Sequence, residues 1–161
     1  MAVSDYLLEI DGLKGETKDG KLVDCIEVDS FSWGATNTKS FGQGGGGGTG
    51  KVSMNDLHFT KKTDKASPEL FFRCANGEHL TKGTLHVRKA GKQQQEFYTI
   101  TLETLAVSSF QSGGHTGGGI TEAFSLAFAK VKFEYKEQSD SGTTLSSVKR
   151  GWDVQKNDEW A

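Results

Sequence analysis

The sequence predicts an all-β fold: a compact β-barrel of two bent antiparallel sheets, one short flanking α-helix and a long extended glycine-rich loop. Three observations predict it. Apolar residues recur with period two along most of the chain, the signature of strands with one covered face. Four of these runs change phase once, so each strand must bulge or bend and carry its covered side from one sheet to the other. The 21 glycines are roughly twice the usual ~7% share and stand beside a single proline, which suits many turns and dedicated loops.

Tyr6, Leu8 and Ile10 alternate in a first strand. Ile26 and Val28 alternate in a second, after which Phe31 and Trp33 continue in the opposite phase. Val52 and Met54 give way to Leu57 and Phe59. Tyr98, Ile100 and Leu102 give way to Leu105 and Val107, and Phe124, Leu126 and Phe128 to Val131, Phe133 and Tyr135. Leu85 and Val87 mark a shorter strand, and Val148, Trp152 and Val154 a last one.

One segment, 67–76, reads as a helix. Ser67 is placed as the N-cap, Pro68 suits the first helical position, and Glu69 lies near the positive end of the dipole. Leu70 with Cys74, and Phe71 with Ala75, are four apart and predict an apolar stripe facing the barrel. Gly77 ends it. The 161 residues fit one domain, 1–161, large enough to fold without metal or disulfide. Loops are expected at 36–50 and 111–119, and a mobile polar segment at 137–147.

Composition excludes several classes. The 19 basic and 21 acidic residues are spread evenly, so neither half makes an electrostatic footprint for nucleic acid. Cys25 and Cys74 form no CxxC pair and no disulfide framework. No secretory signal peptide is visible, and no apolar run reaches the ~18 residues of a membrane span, so membrane insertion is not expected.

The loop motifs imitate a phosphate cradle. Gly45 to Lys51 fits G-x-x-x-x-G-K, but Val52 stands where Ser or Thr would ligate Mg²⁺, and a strand pattern follows instead of a helix. His58, His79, His86 and His115 lack metal spacing. His58 and His86 fall opposite their strands' apolar phase and are placed on the surface, while His115 sits in the second glycine loop, where it could meet a partner. No nucleophile elbow or marked carboxylate pair occurs. The sequence therefore predicts no catalytic, cofactor or metal site. Ser32, between Phe31 and Trp33, is expected to point away from the core.

Several segments together resemble the Hcp (haemolysin-coregulated protein) family of type VI secretion. They are Leu13-Lys14-Gly15-Glu16, Phe31-Ser32-Trp33-Gly34, the glycine run into Lys51-Val52, Leu57-His58-Phe59-Thr60-Lys61, and Asp64 through Leu70 with Cys74. Val87-Arg88-Lys89-Ala90-Gly91, Val107-Ser108-Ser109, Thr121-Glu122 and Gly151-Trp152-Asp153 complete the set, in order over about residues 3–155. The resemblance implies a non-enzymatic subunit of a homohexameric ring. Rings stack as the inner tube of a contractile injection machine, inside a sheath and with a spike protein at the tip, and shelter effector proteins in the lumen. It implies a lumen contact at Ser32. It also implies a protein held in the bacterial cytoplasm before firing and then secreted without a cleavable signal. The loop Ser40, Phe41, Gly42, Gln43, Gly44, Gly45, Gly46, Gly47, Gly48, Thr49 and Gly50 is expected to order against a neighbouring protomer or ring, because ordering so many glycines merely to fill space is costly. The alternative is a small ligand- or carbohydrate-binding β-barrel module, which calls for an exposed aromatic cluster and a monomer.

Overall fold

The computed structural model of the chain describes residues 4–39, 41, 51–89, 94–139 and 144–160. The strands are β1 (Ser4–Ile10), β2 (Ile26–Glu27), β3 (Ser30–Ser32), β4 (Ala35–Asn37), β5 (Val52–Met54) and β6 (Leu57–Lys62). After helix α1 (Ser67–Asn76) come β7 (Leu80–Lys89), β8 (Glu96–Gly114), β9 (Ile120–Gln138), β10 (Thr144–Asp153) and β11 (Asp158–Glu159). Nine strands form one antiparallel sheet in the order β11-β10-β9-β8-β7-β1-β2, with β6 also pairing β9 and β3 pairing β6, while β4 and β5 form a separate hairpin. The expected barrel is thus one sheet folded over on itself; among the described residues its ladder stays open and does not close into a ring of hydrogen bonds.

The fold-over is where the phase switches fall. On β8, Leu102 and Leu105 are both buried, and on β9 Val131 is buried while Phe128 packs against the core. The register is unbroken across this level, from Leu102↔Val131 and Glu103↔Lys130 to Leu105↔Phe128. Both strands therefore turn over together. Thr104 takes up the bend with φ of 50°, an unusual value for a β-branched residue. The carbonyl of Ala129, facing the bend, accepts from the Val154 amide at 2.8 Å. Farther along, a bulge between Val107 and Ser109 sets two serines of β8 against one residue of β9. The other two switches occur between strands. At Val28–Asp29 the chain leaves one half of the sheet for the other: the Val28 amide bonds Tyr6 O at 3.1 Å, and the Asp29 amide bonds Thr60 O at 2.7 Å.

Between the halves lies one apolar cluster, with Leu8, Ile26, Leu57, Phe59, Leu85, Ile100, Leu102, Leu105, Phe124 and Leu126 essentially inaccessible. Burying each such side chain contributes about 1.5–3 kcal/mol before entropy is counted. Phe59 and Phe124, paired across β6 and β9, stack at 5.0 Å. Leu70 of α1 is buried in the same cluster.

The helix differs from expectation at its start and on its stripe. Its N-cap is Ala66, not Ser67, and the cap has no side-chain hydrogen bond. Phe71 is 59% exposed and meets Phe110 edge-on at 6.4 Å, while Ala75 is also exposed, so only Leu70 and the half-buried Cys74 face the core. Gly77 ends the helix in the left-handed region, as its lack of a Cβ permits. Two expected loops are shorter than expected: Gln111–Gly114 belong to β8, leaving 115–119 as the loop, and residues 137–138 and 144–147 belong to β9 and β10.

Ser67 is diverted from capping by a buried ion pair. Lys61 follows Leu57 and Phe59 on the inward phase of β6 and is 0% exposed. Directly opposite on β9 stands Glu122, in phase with Phe124 and Leu126. Lys61 Nζ donates to Glu122 Oε1 at 2.8 Å, Asp64 Oδ1 at 2.9 Å, Ser67 Oγ at 3.0 Å and Lys62 O at 3.0 Å. Ser67 Oγ donates to Glu122 Oε1 at 2.6 Å and Thr63 Oγ1 to Glu122 Oε2 at 3.0 Å. Burial pushes the Glu122 carboxyl up, but the bonds from Lys61, Ser67 and Thr63 outweigh it and hold it below the ordinary glutamate value.

Two measurements test this cluster. Lys61→Ala leaves the Glu122 charge buried and unpaired, so urea denaturation should show a loss of about 3–5 kcal/mol. Because the Glu122 pKa is depressed on folding, its contribution is present above the unfolded-chain value and is lost as pH falls through the folded one. Glu122→Gln should therefore flatten the acid limb of the stability–pH curve; an unchanged limb would remove Glu122 from the acid response.

Candidate functional site: a hydroxyl-lined sheet face and an apolar groove

Half of the folded sheet, built from β3, β6 and the adjoining parts of β9 and β8, presents an outer face of small polar residues. Cross-strand pairing aligns them in rows. Ser32 lies opposite His58, His58 opposite Ser125, and Ser125 opposite Ser109. The next row runs Ser30, Thr60, Ala123 and Gln111. All are exposed except Ser125, which lies beneath its neighbours. The bulge on β8 accounts for that: Ser108 and Ser109 both reach Ser125, at 2.7 and 2.5 Å, and Ser108 also donates to Asp56 at 2.7 Å. Ser30 and Thr60 share a hydrogen bond of 2.5 Å. A shallow depression of about 340 Å³ lies among Ser30, Ser32, His58, Thr60, Ser109 and Gln111.

Ser32 is exposed on this face, as its flanking residues require. Phe31 packs edge-on to Tyr6 at 5.7 Å on the core side. Trp33 also packs against the core but is only half-buried; its indole N–H donates to Tyr98 Oη at 3.2 Å and its ring meets Phe133 at 5.7 Å. Of the loop residues 40–50, only Phe41 lies within the described residues. It is 86% exposed, with Lys39 Nζ 5.1 Å from its ring centre.

A second concavity, of about 760 Å³, opens between the β4–β5 hairpin and β10. Trp33, Met54, Val131, Phe133 and Trp152 line its apolar floor. Beside it the C-terminal residues fold back as β11, paired to β10 through Trp152↔Glu159. The Trp160 ring covers the ammonium of Lys132 at 4.2 Å and of Lys130 at 5.6 Å.

The remaining candidates have structural places. His58, His79 and His115 are exposed. His86 is not the open surface residue expected: its Nδ1 is 2.6 Å from Glu96 Oε1 and its Nε2 3.5 Å from Glu9 Oε2. Burial raises the Glu96 carboxyl, and hydrogen bonds from His86 and Thr99 more than reverse it. Leu13-Lys14-Gly15-Glu16 holds the segment that covers β1 and β2. Leu13 is buried, Glu16 accepts from the Lys65 amide at 2.8 Å, and a Cβ on Gly15 would lie 2.2 Å from Cys25 O. Arg88 clamps the same segment by two bonds to Asp19, at 3.1 and 2.9 Å, and holds the Asp19 carboxyl well below the usual range. Sequence reasoning missed Lys61–Glu122 and Arg88–Asp19. Lys61 had a legible signal, since it extends the apolar phase of Leu57 and Phe59.

Comparison with known proteins defines the class of the chain: a structural component of bacterial secretion rather than an enzyme. The chain belongs to the Hcp family: the family model for the type VI secretion system effector Hcp matches residues 7–135. It is similar to Protein hcp1 of Pseudomonas aeruginosa, at 41% identity over 160 residues and 98% of each chain. Among solved structures it resembles one described as a type six secretion system protein, at TM-score 0.92 and 30% identity, covering 98% of this chain and 100% of that one. Hcp1 from Salmonella typhimurium superposes with TM-score 0.80 and 31% identity over 98% and 100% of the two chains. As a family member the chain is a secreted, self-associating subunit of the type VI secretion tube. These matches lend no support to a ligand- or carbohydrate-binding module.

Trp33 lines the apolar concavity and follows Ser32 in the chain. Trp33→Ala removes the bond to Tyr98 and the edge contact with Phe133. Because the ring is half-buried, the expected loss is about 2 kcal/mol, below the ~3–5 kcal/mol of a fully buried aromatic. The shift of the urea midpoint measures it.

Proposed function

We propose that six copies close into a ring through a heterologous interface, with the hydroxyl-lined face turned to the lumen. Rings stack into the inner tube, held in the cytoplasm within a contractile sheath. The tube is expelled with a spike protein at its tip, carrying effector proteins in the lumen. The observation that carries this reading is the exposed row through Ser32. It is a wet, shallow sheet face with small side chains, which lets a protein approach closely and hydrogen-bond.

Ser32→Gln tests it. The longer side chain changes no core contact, so melting temperature and the hexamer mass in native mass spectrometry should match the unaltered protein. Effector co-purifying with the ring should fall, because the added bulk excludes cargo and strands polar groups. A monomer at tens of micromolar would overturn the ring; full cargo retention by an intact Ser32→Gln ring would overturn the lumen role.

The loop Ser40–Gly50 serves contact between protomers or rings in this reading. Support comes from Phe41, a large apolar ring left almost fully exposed in a single chain, where a partner surface would cover it. Deleting Gly44–Gly48 should leave the melting temperature of the protomer unchanged and reduce tube length in electron micrographs. Tubes of normal length would refute the role.

A further inference from the structure

We propose that His58 is a second cargo-contact residue, and that the face it shares with Ser32 recognises neutral hydrogen-bonding groups of a protein cargo rather than charge. The inference rests on the lumen reading above and specifies its chemistry. Register sets His58 directly opposite Ser32. It stands in the centre of the face, between β3 and β9, with both neighbours in its row being serines. Its side chain is exposed, it lines the same depression as Ser32, and no hydrogen bond or ion pair to another residue of the chain engages it among the described residues. This sets it apart from His86, which two glutamates hold.

The surroundings define what can bind. The two rows contain hydroxyls at Ser32, Ser125, Ser109, Ser30 and Thr60, an amide at Gln111 and a methyl at Ala123. None of their eight residues is Asp, Glu, Lys or Arg. Charged residues only border the rows: Asp56, engaged by Ser108, on one side, and on the other Asp29, whose amide bonds Thr60 O, with Lys62 opposite Thr121. Hydroxyls both donate and accept, and an imidazole does both at its two nitrogens. Backbone amides, side-chain amides and hydroxyls of a cargo find partners here, while a strongly charged patch finds no counter-charge. The imidazole is also the largest polar side chain in its row, so it reaches farthest from the sheet and meets cargo first. In a closed ring the row recurs in every copy, so a modest loss per contact compounds in retention.

The probe is a tagged effector of the same secretion system, chosen as one that co-purifies with the unaltered ring. His58→Phe keeps the ring size and removes hydrogen bonding; His58→Ala removes the side chain without adding bulk; His58→Asn keeps a donor and an acceptor. Native mass and melting temperature establish that each ring is intact. His58→Phe and His58→Ala are expected to retain about tenfold less effector, and His58→Asn to stay within about threefold. Washing the unaltered complex at ~1 M salt, where the Debye length is only ~3 Å, should not strip the effector. Equal retention by His58→Phe and His58→Ala while Ser32→Gln releases the effector overturns the His58 contact and leaves the lumen reading standing. Retention by Ser32→Gln as well overturns that reading and the inference together. Release by salt overturns the neutral recognition.

Discussion

A buried lysine opposite a buried glutamate sets the corner of this fold. Lys61 and Glu122 occupy inward positions that the alternation of their strands would otherwise fill with apolar residues. Desolvating both charges is costly, and the cost is offset only where every lone pair and proton is met. Here Thr63 and Asp64, in the link between β6 and α1, and Ser67, the first residue of α1, meet them. The pair therefore does more than join two strands. It fixes the path of the chain leaving the sheet, the position of the first helical turn, and so the way Leu70 enters the core. Ser67 cannot cap the helix because its hydroxyl is already committed to Lys61 and Glu122. A local propensity yields to a buried polar network, whose partners would otherwise be left unsatisfied.

The second constraint is the shared bend of β8 and β9. Had either strand changed face alone, its apolar residues beyond the bend would have lost their partners. The unbroken register from Leu102↔Val131 to Leu105↔Phe128 avoids this. One hairpin can then serve both halves of the sheet, with β7 and β10 beside one half and β6 beside the other.

What was legible in the sequence follows from these causes. The strand phases, the switches and the outward aim of Ser32 rest on period two and on large apolar side chains, and these are local. The extent of β8 was not legible: Gln111–Gly114 is polar and glycine-rich, and reads as loop, yet it pairs along Ala123–Ile120 because β9 is already held there by β6. The helix stripe was misread at Phe71, which lies against Phe110 on the surface, a contact from a distant strand. The environment of His86 likewise depends on Glu9 and Glu96, which only the sheet order brings together. The row through Ser32, His58, Ser125 and Ser109 needed pairing registers that no single strand encodes.

The bend also separates two surface chemistries. On one side of it, the outward phase of β8 and β9 reads Thr99, Thr101 and Glu103 beside Lys130, Lys132, Glu134 and Lys136. On the other side, the outward phase reads Ser109, Gln111 and Gly113 beside Thr121, Ala123 and Ser125. The two strands run on through the bend, yet charge stops there. In the proposed ring, a lumen wall facing many different passengers would gain from this, because a surface of one strong sign would hold oppositely charged proteins and repel the rest, whereas hydroxyls ask only for a hydrogen-bonding partner. In the proposed ring the charged half, with Trp160 laid over Lys130 and Lys132, would be free to select a fixed partner and its orientation through opposite charges. Placing the bend between Leu102 and Leu105 thus divides a single hairpin into a permissive face and a selective one, while the same apolar core supports both.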